Sequence, residues 1–270
     1  ELMEQKLYLV LWQKLALMVI GHPFLIPKKI NNIQKNILLH FESSIYLYSS
    51  DKFIKVDLND QNWNSTILNI LKSNKQKDLD LIYFDSVPSI VPLEFFDENF
   101  SDKYLETNII KGENTLFDNS FDNKLKIVYS YNDFIDSNVF KKEEIIFNQK
   151  NYFTQLYDFI IKNNSNQSYI KFYINFHKNS FDVVVTKSNE LILFNNFKIN
   201  NVNEFLYYLF FVIKNFEGQE KSNEIIFIGN FEEYINYYEL VSKYNKIEFI
   251  LDDLNEEQIF PILNENYIRF

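Results

Sequence analysis

The side chains that could do chemistry in this sequence are few and widely separated. His22, His40 and His177 show no ligand spacing, so each is expected to be solvated or hydrogen-bonded rather than metal-bound. The chain has no cysteine, which excludes thiolate metal sites, disulfides and thiol catalysis. Glu42 and Asp182 are the only obvious carboxylates on predicted first or second strands, whereas a two-metal nuclease needs several. The sequence therefore predicts no metal site and no nuclease centre.

Phosphate recognition has equally little support in the sequence. The four glycines, Gly21, Gly112, Gly218 and Gly229, lie too far apart to form a glycine-rich phosphate loop, so a P-loop and a dinucleotide fingerprint are excluded. Arg269 is the only arginine, and the formal net charge is −10. Because nucleic-acid binding needs clustered basic residues, we expect no nucleic acid among the partners.

The stretch from residue 7 to residue 27 (LYLVLWQKLALMVIGHPFLIP) is the one segment near membrane-span length. Gln13 and Lys14 interrupt it, and no basic start or small-residue cleavage site marks a signal peptide. We interpret residues 1–34 as an apolar N-terminal extension outside the fold, with a membrane anchor or an upstream translation artefact as the alternatives. The sequence predicts a cytoplasmic protein that contacts a membrane only if residues 7–27 do so.

The C-terminal third has the clearest secondary-structure pattern. Apolar residues alternate along residues 169–176, and short turns separate this stretch from two more, which predicts three antiparallel strands. Asn201 can cap the helix that follows, whose body is apolar on every side and is therefore expected to be buried all round. The second and third strands of this group are residues 181–186 and 191–197. Two further strands are predicted at 224–229 and 246–251, together with a helix around 231–241 that Asn230 can cap and a last helix capped by Asp253.

The first half of the chain echoes this order. The predicted elements are strands at 36–41, 45–48, 53–58, 81–85 and 124–130, helices at 62–72 and 151–162, and a polar linker at 163–167. Strands joined through single helices are expected to be parallel. We therefore predict an α/β fold with two ribonuclease H-like lobes, residues 35–165 and 166–270, and a loop-rich insertion near 97–123 in the first.

Several stretches resemble the signatures of a known family. VPLEFFDE at residues 91–98 is similar to a V-P-x-x-x-F-D-E pattern. FDVVV at 181–185 followed by LILFNNF at 191–197 is similar to F-D-I-V and L-x-L-x-N-x-F patterns. With Glu204–Tyr208 and the strand end at Ile228–Gly229, the chain from about residue 35 resembles the bacterial family called domain of unknown function 3822. The resemblance implies two lobes in an actin-like ATPase arrangement, and it supplies no catalytic residues.

Working actin-like ATPases hold phosphates with two glycine-rich hairpins that carry an acidic residue, and hold adenine at a turn with paired glycines. The corresponding hairpin turns here contain Glu42 but no glycine, so Cβ atoms would keep the backbone away from a phosphate. The adenine turn keeps only Gly229, followed by Asn230. Asn195 could be a recognition residue of the same cleft. Helix capping explains Asn230 equally well, and turn capping explains Asn195.

These observations favour a non-catalytic protein with an actin-like fold that binds a protein partner or serves as a scaffold. We expect neither a cofactor nor catalytic activity. The alternative is a nucleotide-binding ATPase or phosphotransferase that uses ATP and Mg²⁺ in the cleft between the lobes.

Overall fold

The computed structural model describes residues 36–49, 52–73, 78–106, 112–131, 140, 142–163, 169–177, 179–216, 224–228 and 234–250. The strands are β1 (Asn36–His40), β2 (Ser44–Ser49), β3 (Lys52–Asp57), β4 (Asp78–Tyr83), β5 (Ser89–Pro92), β6 (Asn114–Asn119), β7 (Leu125–Tyr131), β8 (Ile146–Asn151), β9 (Ile170–His177), β10 (Ser180–Lys187), β11 (Glu190–Lys198), β12 (Glu224–Ile228) and β13 (Ile247–Ile250). The helices are α1 (Trp63–Ser73), α2 (Tyr152–Asn163), α3 (Val202–Lys214) and α4 (Ile235–Ser242), with 3-10 helices at Leu93–Phe95 and Glu98–Leu105. The predictions for residues 1–34, for the helix cap at Asn230 and for a last helix from Asp253 lie outside the described residues.

Two five-stranded sheets share one topology. Their orders are β3-β2-β1-β4-β8 and β11-β10-β9-β12-β13. In each sheet the first three strands form an antiparallel meander, the fourth pairs in parallel with the first, and the fifth pairs in parallel with the fourth. This arrangement confirms the predicted α/β fold with two ribonuclease H-like lobes.

Strands β9, β10 and β12 of the second sheet are buried on both faces because each face meets a different core. Phe172, Ile174 and Phe176 on β9 pack into the core beneath α3 and α4. Tyr173 and Val184 point the other way, into the core that α1, α2 and the first sheet form. The two lobes therefore adjoin through continuous packing.

The insertion in the first lobe is more ordered than the sequence suggested. β5, β7 and β6 form a small antiparallel sheet, so the stretch 97–123, predicted as loop-rich, contains the strand Asn114–Asn119. The hydrophobic pattern of the sequence did not reveal this strand, because the strand is only half-buried along most of its length. It also carries three Asn or Asp residues, which are depleted in strands. A 3-10 helix, Glu98–Leu105, packs Leu105 against Val91 and Val128 of this sheet.

The start of α3 follows the prediction. The Asn201 side chain accepts hydrogen bonds from the backbone N–H groups of Asn203 and Glu204, at 3.0 and 3.1 Å. The Glu204 carboxylate reaches back and accepts from the N–H of Asn200 at 2.9 Å. These bonds satisfy donors that a helix start otherwise leaves unpaired.

The body of α3 corrects a prediction. We expected this helix to be buried all round, but Tyr207 and Phe211 are 66% and 55% exposed. Leu209 is fully buried on the opposite face, against the second sheet. The prediction was wrong because a helix in the outer layer of a two-layer lobe has only one sheet to pack on, whatever its composition.

Candidate functional site: the junction between the lobes

The junction between the lobes is built at the carboxyl ends of their central strands, where open α/β sheets commonly bind ligands. β1 ends at His40 and β4 leads into Phe84 and Asp85. β8 leads directly into α2, so that Tyr152 is the first residue of the helix. In the second lobe, β9 ends at His177.

A buried carboxylate forms the centre of this junction. Asp182 on β10 has no exposed surface. Its Oδ1 accepts from the Tyr152 hydroxyl at 3.0 Å and from Asn196 Nδ2 at 2.8 Å. Its Oδ2 accepts from Asn175 Nδ2 at 3.0 Å and from His177 Nε2 at 2.6 Å. Tyr152 belongs to the first lobe and the other residues to the second, so this hydrogen-bond network joins the lobes.

The charge states of the junction follow from these contacts. Burial alone would raise the pKa of Asp182, but the nearby His177 and the amide donors outweigh it, so its pKa lies below the usual range. Burial and the neighbouring Asp182 carboxylate raise the pKa of Tyr152. Asp182 is therefore an ionised acceptor and Tyr152 a neutral donor. A carboxylate with both oxygens occupied in this way stabilises the structure and has no lone pair directed at a substrate.

A continuous row of aromatic rings accompanies the network, and we name its members Phe41, Phe84, Tyr152 and His177 the aromatic bridge. Phe41, in the β1–β2 turn, stacks on Phe84 with ring centroids 4.5 Å apart. Phe84 stacks on Tyr152 at 5.4 Å, and Tyr152 meets His177 edge-on at 5.4 Å. The aromatic bridge thus runs from the first hairpin turn of one lobe to the first hairpin of the other.

The start of α2 is held so that Tyr152 reaches the second lobe. Asn151 caps the helix by accepting from the N–H of Phe153 at 2.9 Å, and its Nδ2 donates to the Ser86 carbonyl at 2.8 Å. Asp118, on β6 of the small sheet, accepts from the N–H of Asn151 at 2.8 Å and from the Thr154 hydroxyl at 2.6 Å. Burial raises the pKa of Asp118 although these hydrogen bonds oppose the shift. The insertion therefore braces the helix that supplies the interlobe contact.

A second histidine–aspartate pair lies in the first lobe. His40 Nδ1 is 3.0 Å from Asp85 Oδ1. His40 is buried against the ring of Tyr83, at 5.7 Å, whereas the Asp85 side chain is 30% exposed. Each lobe thus ends its first strand with a histidine bonded to an aspartate, but only the aspartate of the second lobe is fully buried, and His177 itself is 17% exposed.

Two of the four residues proposed from the sequence for the cleft lie in the described part of the chain, and neither takes part in the Asp182 network. Glu42 is exposed in the β1–β2 turn. Asn195 is exposed on β11, where its side chain accepts from the N–H of Asn196 at 3.0 Å. Gly229 and Asn230 lie outside the described residues. Among the described residues no group of three His, Asp or Glu side chains could hold a metal ion.

Sequence reasoning missed Asn196 and Tyr152, which complete the network. Asn196 lies directly opposite Asp182 in the β10–β11 register, so the strand pairing could have indicated it. Tyr152 lies 30 residues before Asp182 and in the other lobe, and no local pattern connects the two.

The lowered pKa of Asp182 predicts an acid-dependent loss of stability. A carboxylate in the unfolded chain titrates near about 3.9. Because the folded pKa is below that value, the network contributes its full stability above about pH 4 and loses it as the pH falls through the folded pKa. We expect the stability difference between the wild-type protein and Asp182→Asn to shrink below about pH 4. Urea unfolding over a pH series measures it, and a difference that does not shrink in acid would contradict this assignment.

Comparison with solved structures places this architecture among proteins with an actin-like ATPase fold. The chain is similar to a Bacteroides thetaiotaomicron protein with this fold and unknown function, with a TM-score of 0.63 and 15% identity over 85% of this chain and 94% of that one. It is also similar to a chain of the PilM–PilN type IV pilus biogenesis complex, with a TM-score of 0.52 and 9% identity over 81% of this chain and 88% of that one. At these identities the similarity shows the fold alone.

Residues 30–247 match the family model described as protein of unknown function, DUF3822, and the chain belongs to that family. The family resemblance seen in the sequence is thereby confirmed. No protein with curated annotation matches the chain significantly. Within the described part of the chain, no helix is both long enough and apolar enough to cross a membrane.

Proposed function

We propose that this protein is a non-catalytic binding or scaffold protein, in which the cleft that holds nucleotide in actin-like ATPases serves as a structural junction. The observation that carries the proposal is the aromatic bridge. Its rings connect the β1–β2 turn with the end of β9 at centroid separations of 4.5 and 5.4 Å. Side chains thus lie between the two hairpins that would hold the phosphates of a nucleotide.

The electrostatics of the junction support the same proposal. Asp182 is an ionised, fully buried carboxylate at the centre of the interlobe contact. A polyphosphate there would meet like charge in a low-dielectric environment, where repulsion is strong. A metal ion bound by Asp182 could offset this repulsion. Amide, hydroxyl and imidazole donors, however, already occupy both oxygens of Asp182.

The similarity to a chain of a protein complex supports a protein partner for this chain. The PilM–PilN structure is an assembly in which a protein of similar fold takes part in a complex for pilus biogenesis. By analogy, we infer that the fold of this chain can serve as a platform for another protein. The analogy extends only to binding another protein, because fold alone does not determine function.

The proposal predicts that Mg-ATP does not bind measurably at millimolar concentration. Isothermal titration calorimetry of the full chain tests it, with Glu42→Ala as the matched variant because Glu42 is exposed in the first hairpin turn. A dissociation constant below about 100 μM, equivalent to about −5.5 kcal/mol, would contradict the proposal if Glu42→Ala weakened it. That outcome would favour the ATPase or phosphotransferase alternative.

A further inference from the structure

The outer side of α3 carries a row of four residues, which we name the outer row: Glu204, Tyr207, Phe211 and Lys214. They follow one another at intervals of three, four and three residues, so they lie along one side of the helix. Residues at alternating three- and four-residue intervals form the contact seam between two paired helices. At the centre of the row, Tyr207 and Phe211 are 66% and 55% exposed, although both are large aromatic side chains.

Neighbouring aromatic side chains widen this exposed surface. Tyr207 stacks on Phe211 with ring centroids 6.4 Å apart and meets Tyr208 edge-on at 5.3 Å. On the side of α4, Phe210 meets Tyr244 edge-on at 5.5 Å, and Tyr244 is 71% exposed. At about 200 Å² for a whole aromatic side chain, the exposed parts of Tyr207, Phe211 and Tyr244 amount to roughly 400 Å². An apolar patch of this size is often an interaction site.

The two ends of the outer row carry opposite charges that have no ionic partner in the described part of the chain. Lys214, in the last turn of α3, is exposed and makes no ion pair with a described residue. Glu204, in the first turn, accepts only from neutral donors: Oε2 from Asn200 at 2.9 and 3.1 Å, and Oε1 from Asn201 at 3.2 Å. A carboxylate has about four lone-pair sites, so Glu204 can accept one more donor. Each end of the row can therefore bind an opposite charge from outside α3.

We propose that a second copy of this chain docks on this face, with the two α3 helices antiparallel about a twofold axis. In this arrangement Tyr207 lies opposite Phe211 of the second copy. The same register places Lys214 opposite Glu204 of the second copy, because both pairs are symmetric about Leu209. Twofold symmetry makes each contact twice. Parallel helices would instead bring like charges together at both ends, so the charges select the antiparallel order.

The size of the face indicates weak association. Stable interfaces bury about 800 Å² per partner, roughly twice what the exposed aromatic side chains of this face offer. We expect a dissociation constant on the order of 10–100 μM, so the monomer predominates in dilute solution. Beneath the outer row, Phe205 and Leu209 pack on the side of the second sheet that faces away from the first lobe. Self-association therefore does not depend on the junction or on nucleotide binding, and it can fail or succeed independently of the proposed scaffold function.

Sedimentation equilibrium of the full chain, at concentrations below and above this range, tests the proposal. The average mass should rise from that of a monomer to that of a dimer. Lys214→Glu and Glu204→Lys should each weaken the dimer about tenfold, because each change turns both charge pairs into repulsions. An equimolar mixture of the two variants should regain the wild-type affinity, since every charge then faces an opposite one. Lys103→Glu, the same change at an exposed position in the first lobe, is the matched control and should have no effect.

Glu204 also braces the start of α3, so a second pair of variants keeps the test decisive if Glu204→Lys does not fold. Tyr207→Glu and Phe211→Lys, both at exposed positions, should each abolish self-association, and their mixture should form a dimer in which the new charges face each other. A chain that stays monomeric throughout would overturn the proposal and leave the face to a different partner. Assemblies larger than a dimer, mixtures that do not associate, or equal losses in Lys214→Glu and Lys103→Glu would overturn it as well.

Discussion

Replacing Asp182 with alanine is expected to lower the free energy of unfolding by about 3–5 kcal/mol, the usual cost of breaking a buried charge network. The substitution removes the acceptor for four donors at once. Asn175 and Tyr152 are almost fully enclosed, so their released donors cannot turn to water. Buried donors without partners carry the full desolvation penalty, which is why the effect exceeds that of an ordinary hydrogen bond.

Asp85→Ala is the matched control because it removes the aspartate of the equivalent pair in the first lobe. Asp85 is 30% exposed and bonds one partner, His40, so water can replace it. We expect Asp85→Ala to cost about 1 kcal/mol. Urea denaturation followed by circular dichroism measures both variants, and equal losses would show that the Asp182 network has no special role at the junction.

Leu209→Ala should cost about 2–5 kcal/mol, because the residue is fully buried between α3 and the second sheet and the truncation leaves a cavity. Removing a buried leucine side chain loses both its transfer free energy and the packing contacts of its neighbours. Thermal and urea unfolding of the variant give the stability change.

Phe211→Ala on the same helix provides the control for Leu209→Ala. Phe211 is 55% exposed, two residues further along α3, and most of its surface already faces water. We expect its truncation to change stability by less than about 0.5 kcal/mol. Comparable losses for Leu209→Ala and Phe211→Ala would mean that the outer face of α3 is covered in the folded protein.

The second lobe could be predicted from sequence because its strands alternate and its turns are short. β9, β10 and β11 each lie within one or two residues of the predicted bounds. β5, β6 and β8 were not predicted. β5 has only four residues. β8 (Ile146–Asn151) lies at the edge of the first sheet, alternate residues along it are exposed, and Phe147 is its only apolar residue after Ile146. Edge strands show weak patterns because little of their surface is buried.

The candidate site was harder to predict than the fold. The sequence singled out Asp182 as a candidate carboxylate for a nuclease site and as part of the FDVVV family signature, but neither pattern indicated its hydrogen-bond partners. Its actual environment depends on Tyr152, which the cap at Asn151 and the brace from Asp118 hold in place. Contacts between lobes depend on how whole sheets are placed, and local periodicity contains no information about that placement. The aromatic composition was evident from the sequence, but not which rings would meet.

Side chains fill the junction between the lobes, and we expect them to hold the lobes in one arrangement. Because the natural chain has no cysteine, spin labels can be attached at Ser43→Cys and Asn179→Cys, which are exposed positions in the first hairpin turn of each lobe. Double electron–electron resonance then measures the distance between the two turns. We expect one narrow distance distribution that Mg-ATP leaves unchanged. A broad distribution, or one that Mg-ATP shifts, would contradict this expectation and would show a cleft that opens and closes around a nucleotide.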